Sequence, residues 1–229
     1  MNSPAFHFID AHHHLWDLEA CHYPWLMAKG EQRFFGDPSP IQKNYLADDF
    51  LNESKQYSPA RSVHIQVGAA EHDSLKETQW LQQQSPVPNA IVAFCDLSAD
   101  NYQQQIDAQK AYSKVKGIRQ IIGRHTDEDR KHGSQALLTN ANWHKAMHYL
   151  AKQDFSFDLQ MIPPQIDKVY DALQTVPHLK VALCHGGSPW DQSPAGLTSW
   201  QAGLKKLSSL PNVYCKVSGL GMFNHHWRE

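Results

Sequence analysis

Apolar and polar positions along this chain fall into two patterns that take turns. Short runs dense in Val, Ile, Leu and Phe read as buried strands, and segments with apolar residues recurring every three or four positions read as amphipathic helices. Strands are expected over residues 6–11, 61–67, 89–97, 115–122, 155–161, 179–185 and 212–217. Helices are expected over 44–57, 72–84, 101–113, 135–152, 164–174 and 195–208. The helix from Pro164 starts with a proline where a missing N–H costs little. Residues 18–40 carry aromatics and prolines with no period (Tyr23-Pro24-Trp25-Leu26, Phe34-Phe35-Gly36-Asp37-Pro38), so a long ordered loop is expected there.

Strands alternating with helices at this spacing argue βα units and a parallel sheet. No G-x-G-x-x-G follows the first strand and no G-x-x-x-x-G-K-[ST] occurs, so the common nucleotide-binding versions of the doubly wound sheet lack support. Polar residues recur where strands end: His12/His14, His64/Gln66, Asp96, Arg119, Asp158/Gln160, His185 and Lys216. In a closed barrel those ends converge, whereas an open sheet spreads them. The expected fold is therefore α/β, of the (β/α)8 TIM-barrel type, with seven of eight βα units in one domain over residues 1–229.

Composition narrows the function classes. A net charge of −2, with both signs dispersed, leaves no electrostatic footprint for nucleic acid or an anionic membrane, and a small-molecule substrate fits better. Cys21, Cys95, Cys184 and Cys215 have no C-x-x-C spacing and read as reduced core thiols of a cytoplasmic protein. The start Met1-Asn2-Ser3-Pro4 has neither the basic residues nor the apolar run of a signal peptide. No apolar run approaches the roughly 20 residues that cross a bilayer.

Chemistry concentrates at strand ends. In an extended strand His12 and His14 share a face and His13 takes the other, so the pair suits a divalent metal or a polarised carbonyl. The competing reading is a histidine-rich surface turn. His185 enters a glycine turn, Cys184-His185-Gly186-Gly187-Ser188-Pro189, that admits a ligand to the backbone. Alternation puts Val213, Cys215 and Val217 on a helix-packed face and Tyr214, Lys216 and Ser218 on the other. Lys216 would then serve catalysis or an ion pair with Asp158. Arg119 offers a planar fork for a substrate carboxylate or carbonyl. His64, Gln66 and Gln160 are candidates to line a substrate site. Trp16, with Tyr23-Pro24-Trp25, either braces the first loop or forms a stacking wall for a sugar ring.

These residues together resemble the amidohydrolase superfamily, on the sugar-lactonase side of its amidohydrolase 2 branch. That branch includes L-fuconolactonase, L-rhamnono-lactonase and 2-pyrone-4,6-dicarboxylate lactonase. The matching pieces run the length of the chain: Ile9-Asp10-Ala11-His12-His13-His14-Leu15-Trp16, Glu77-Thr78-Gln79-Trp80-Leu81, Lys116-Gly117-Ile118-Arg119-Gln120, Phe157-Asp158-Leu159, His185-Gly186-Gly187-Ser188-Pro189 and Asn212-Val213-Tyr214-Cys215-Lys216-Val217-Ser218-Gly219-Leu220. The resemblance implies hydrolysis of a lactone, with His12, His14 and His185 as ligands of a divalent metal, often zinc, or as metal-free polarising groups. It also implies a small-molecule substrate and is compatible with a homo-oligomer.

The chain departs from the branch's L-D-H-x-x-K-P motif at Cys184, which stands for the aspartate, and at Ser188, which stands for the lysine. A G-S-D-W-P-like eighth-strand motif, whose aspartate binds metal and acts as base, is absent from the 229 residues. The resemblance therefore implies impaired or absent lactonase activity, with a truncated gene product, a completing partner and a pseudoenzyme as the readings, truncation first. The alternatives in function are a non-catalytic sugar-acid binder and a decarboxylase of the same branch.

Overall fold

The structure, a computed structural model, describes residues 8–57, 59–126, 129, 134–224 and 226. Seven parallel strands follow one another in sequence order within one sheet: β1 (Ile9–His13), β2 (Arg61–Ile65), β3 (Ala90–Ala93), β4 (Val115–Arg119), β5 (Ser156–Leu159), β6 (Lys180–Leu183) and β7 (Val213–Cys215). The helices are α1 (Pro24–Met27), α2 (Ala47–Glu53), α3 (Ser74–Gln83), α4 (Tyr102–Lys110), α5 (Ala141–Lys152), α6 (Ile166–Gln174) and α7 (Pro194–Leu207). None of the described helices is long and apolar enough to cross a membrane.

The chain divides into two compact units. The first holds the described residues up to Gln32, Asp37–Phe94 and Ala108–Lys116, and the second holds Arg33–Gly36, Cys95–Asp107 and the residues from Gly117 onward. In the first, β1 pairs with β2 through Ile9↔Arg61, Asp10↔Ser62 and His13↔His64, with an irregularity between Asp10 and His13. Leu15, Tyr23, Leu26, Ile65 and Leu81 are fully buried there. On α3 the buried residues Ser74, Glu77, Thr78 and Leu81 fall at helical spacing, which carries a carboxyl group into the interior.

In the second unit β5 lies between β4 and β6, with Arg119↔Asp158 and Asp158↔Ala182 in register. Helix α5 shows why this segment is helical: Trp143, Ala146, Met147 and Leu150 make one buried stripe, and Asn140 caps it by accepting the Trp143 N–H at 3.0 Å. Its Trp143 ring meets Phe157 of β5 edge to face. Ser193 and Pro194 start α7, the serine accepting the Gly196 N–H at 3.1 Å.

The elements occur where the pattern expects them, most with shorter bounds. Two expectations need correction. Residues 18–40 are not an unbroken loop, because Pro24 opens α1 and a 3-10 turn forms over Ser39–Ile41. The face expected to pack Val213, Cys215 and Val217 on helices is open: Cys215 is an exposed thiol and Val217 is 82% exposed. Strand β7 pairs with β6, and among the described residues only a short 3-10 turn, Leu220–Met222, follows it. Cys21, Cys95 and Cys184 are buried free thiols, as expected. Strand β1 runs on to His13, beyond the expected end at residue 11, and residues 6 and 7 lie outside the described residues.

Candidate active-site residues

In the first unit the histidines gather around the end of β1. The His12 and His14 rings meet edge to face with centroids 5.2 Å apart. His13 turns the other way, stacked on Phe50 at 4.2 Å, and burial lowers its pKa to about 4. The Asp10 carboxylate accepts the His12 N–H at 2.9 Å, at the strand irregularity. His14 Nδ1 lies 2.8 Å from the Ile65 carbonyl, which can only accept, so Nδ1 carries the proton and Nε2 the lone pair. His64 is the opposite tautomer. Its Nδ1 accepts the Leu15 N–H at 3.1 Å, and burial holds its pKa well below the usual histidine value. Gln66 turns back on its own chain, its Oε1 accepting the Gly68 N–H at 2.6 Å.

The aromatic loop is tied to the same unit. Trp16 donates its indole N–H to the Lys43 carbonyl at 2.6 Å and its ring lies beside Tyr45. Trp25 donates to the Val67 carbonyl at 2.7 Å, and Tyr23 is fully buried beside Cys21, Leu26 and Val67. Of the two readings of this loop, its contacts are those of the brace.

In the second unit the ends of β4 to β7 assemble a buried polar cluster. Arg119 donates to Gln160 Oε1, and Lys216 forms an ion pair with Asp158, which is 2% exposed. The Cys184 thiol lies 3.8 Å from Asp158 Oδ2, and burial pushes its pKa up to about 12, so it stays protonated and is no nucleophile near neutral pH. His185 sits just past β6 with φ +55°, a left-handed backbone that few side chains adopt without strain. Burial first, then the charges of Arg119 and Lys216, lower its pKa to about 4, so the ring is neutral.

Gly117 sets the spacing of this cluster. A Cβ there would lie 2.2 Å from Ser156 Oγ and 2.9 Å from the Ser156 carbonyl. Gly117→Ala is therefore expected to push β4 off β5 two residues before Arg119 and Asp158, at a cost of about 1–3 kcal/mol. Urea unfolding of the variant measures it, and an unchanged midpoint would refute the close approach.

Two groups escape sequence reasoning. Phe34, His125, Trp190 and Phe223 meet in the second unit, with Trp190 edge-on to the other three rings at 4.6–5.2 Å. They come from separate loops with no common spacing, so no local signal announces them. Glu77 is the other: its helical spacing with Leu81 was visible, but a carboxylate on a buried stripe reads as a helix edge until the packing is known.

These imidazoles suit a divalent metal. Metal-binding histidines have their second ring nitrogen tied to a carbonyl or similar partner, which is the arrangement of His14.

An uncharacterised protein of Sinorhizobium fredii, y4mH, is 34% identical over 223 residues, which span 96% of this chain and 75% of that one. The L-fucono-1,5-lactonase of Burkholderia multivorans is 24% identical over 225 residues, 96% of this chain and 70% of that one. Among solved structures, a zinc-bound amidohydrolase from Burkholderia multivorans superposes with a TM-score of 0.75 at 23% identity, covering 94% of this chain and 70% of that one. A probable 2-pyrone-4,6-dicarboxylic acid hydrolase from Acinetobacter baumannii, with citric acid bound, gives 0.68 at 15% identity, covering 95% and 72%. The shared fold is the (β/α)8 barrel, of which this chain supplies seven βα units. The amidohydrolase family model matches residues 9–229. The chain is thus a hydrolase of the amidohydrolase family, in the amidohydrolase 2 branch that holds the lactonases it matches.

Proposed function

We propose that this protein opens the ring of a sugar-acid lactone with water, using a divalent metal, zinc in the first instance. The observation that carries the reading is His185, a buried neutral imidazole on strained backbone whose neighbouring cations are already tied to partners. Strain of this kind is retained where a side chain must be aimed. The names of the L-fucono-1,5-lactonase and pyrone hydrolase relatives support a cyclic ester as substrate, and the zinc in a structural neighbour supports the metal.

In this reading the nitrogen donors are those that the family resemblance implies, His12, His14 and His185. A bound divalent ion lowers the pKa of water and offsets the charge that builds on a carbonyl oxygen. Arg119, steadied by Gln160, holds a carboxylate or hydroxyl of the sugar acid through its donor fork. Lys216, anchored by Asp158, adds a fixed positive charge for the developing oxyanion. His64 and Gln66 are assigned to the substrate's surroundings, and Trp16 to bracing the loop beside them.

The test is a panel of aldonolactones, including L-fucono- and L-rhamnono-lactone, followed by proton release with zinc-loaded protein. The expected result is slow turnover of at least one lactone, in keeping with the impaired activity that the resemblance implies, with kcat/KM lowered about 10²–10³-fold further in His185→Ala. Lactones that bind without being opened would make the protein a sugar-acid binder and overturn the reading. Turnover indifferent to His185→Ala would do the same.

A further inference from the structure

The backbone around His185 is pinned on both sides. The Gly186 N–H donates to the Lys216 carbonyl at 3.0 Å, the Lys216 N–H to the Leu183 carbonyl at 2.8 Å, and the Trp200 indole to the Gly186 carbonyl at 2.7 Å. With the backbone held, the ring retains its two side-chain torsions, the last of them roughly two-fold, and the choice of tautomer. Both are addressed by the segment just beyond β7. Ser218 Oγ lies 3.0 Å from His185 Nδ1, and the ring also hydrogen-bonds the Ser218 backbone. Gly219, at φ +63°, presses its bare Cα against the same edge, since a Cβ there would be 2.6 Å from Nδ1 and 3.1 Å from Cγ.

We propose that Ser218 and Gly219 are positioning residues for His185: the serine hydroxyl accepts the Nδ1–H, and the missing glycine side chain lets the ring lie where that bond forms. The lone pair is thereby placed on Nε2. His14 reaches the same protonation pattern through the Ile65 carbonyl. A hydroxyl can donate as well as accept, and the Ser218 backbone, which also hydrogen-bonds this ring, favours a protonated ring nitrogen facing it. The close fit against Gly219 supplies what the hydroxyl lacks, by leaving the ring one orientation in which Nδ1 meets Ser218. A carbon on residue 219 would turn the ring edge away and break the bond without touching its chemistry.

The inference deepens the metal reading of His185, yet its test needs no metal and no substrate. Nitrogen-15 spectra of the histidine-labelled, metal-free full chain at pH 8 report the tautomer of each ring, and His185→Gln identifies the signals of His185. The expected wild-type pattern is a protonated Nδ1 and an unprotonated Nε2. Ser218→Ala and Gly219→Ala should each shift those two signals toward a mixture of tautomers, and Ser218→Thr should restore them. Zinc titration is expected to show a Kd raised about 10–100-fold in both alanine variants. A wild-type ring protonated on Nε2, or Ser218→Ala signals identical to wild type, would overturn the proposal. An unchanged zinc affinity alongside shifted ring signals would instead count against His185 as a metal ligand and leave the positioning intact.

Discussion

Replacing Lys216 with methionine is expected to destabilise the protein by about 3–5 kcal/mol, the usual loss when one partner of a buried ion pair is removed. Asp158 is 2% exposed and the Lys216 side chain 16%, so the carboxylate cannot recover its lost partner from bulk water. Methionine keeps the length of the lysine stem, so the change isolates the charge from the packing. At this chain length the loss corresponds to a Tm lowered by roughly 6–20 °C. The double variant Lys216→Met, Asp158→Asn should recover most of it, because the uncompensated charge is gone. A single variant as stable as wild type would show that the pair is solvated, and a double variant no better than the single would show that packing decides the effect.

Glu77→Gln should act in the other direction, raising stability by about 3 kcal/mol at pH 8. Burial lifts the Glu77 pKa from 4.5 to about 7, outweighing the hydrogen bonds from the Val67 N–H, at a long 3.4 Å, and from the Tyr23 hydroxyl. A shift of that size corresponds to about 3 kcal/mol between the protonation states. The sign follows from proton counting. Between pH 4.5 and about 7 the folded chain holds a proton that the unfolded chain has lost, so stability falls as pH rises through that window and levels off above it. The groups facing Glu77 do not titrate in this window: Cys21 is pushed up to about 11 and the Tyr23 hydroxyl, which hydrogen-bonds the carboxyl, is raised above its usual value, so both stay neutral throughout. Glutamine can still accept from Val67. Urea unfolding from pH 4.5 to 8 should show the two proteins converging at the acid end and separating toward neutral pH. Parallel curves would mean that Glu77 ionises as if exposed.

Much of the architecture was legible because it rests on local patterns. Strand and helix alternation follows from side-chain periodicity, which is a property of the backbone. The same holds for Arg119, Asp158 and Lys216: each sits at the end of an apolar run, and such positions face the polar edge of a parallel sheet. Asp158 as a partner for Lys216 was one of two readings, and the ion pair in the structure is that one. Cys215 and Val217 went the other way, because alternation tells which residues share a face but not whether anything covers it.

What the sequence determines by itself is the order of the βα units, the histidines at the ends of β1 and β6, and membership in a family recognisable by motif. The tertiary structure alone decides their chemical state. His14 and His64 are the same residue type close to strand ends, yet Ile65 and Leu15 give them opposite tautomers. His185 combines a strained backbone with a contact to Ser218, 33 residues away in the chain. Tautomer, protonation and ring orientation depend on which donor or acceptor stands within about 3 Å, and on how far water is excluded. Both are set by residues remote in the chain, so no local pattern can carry them.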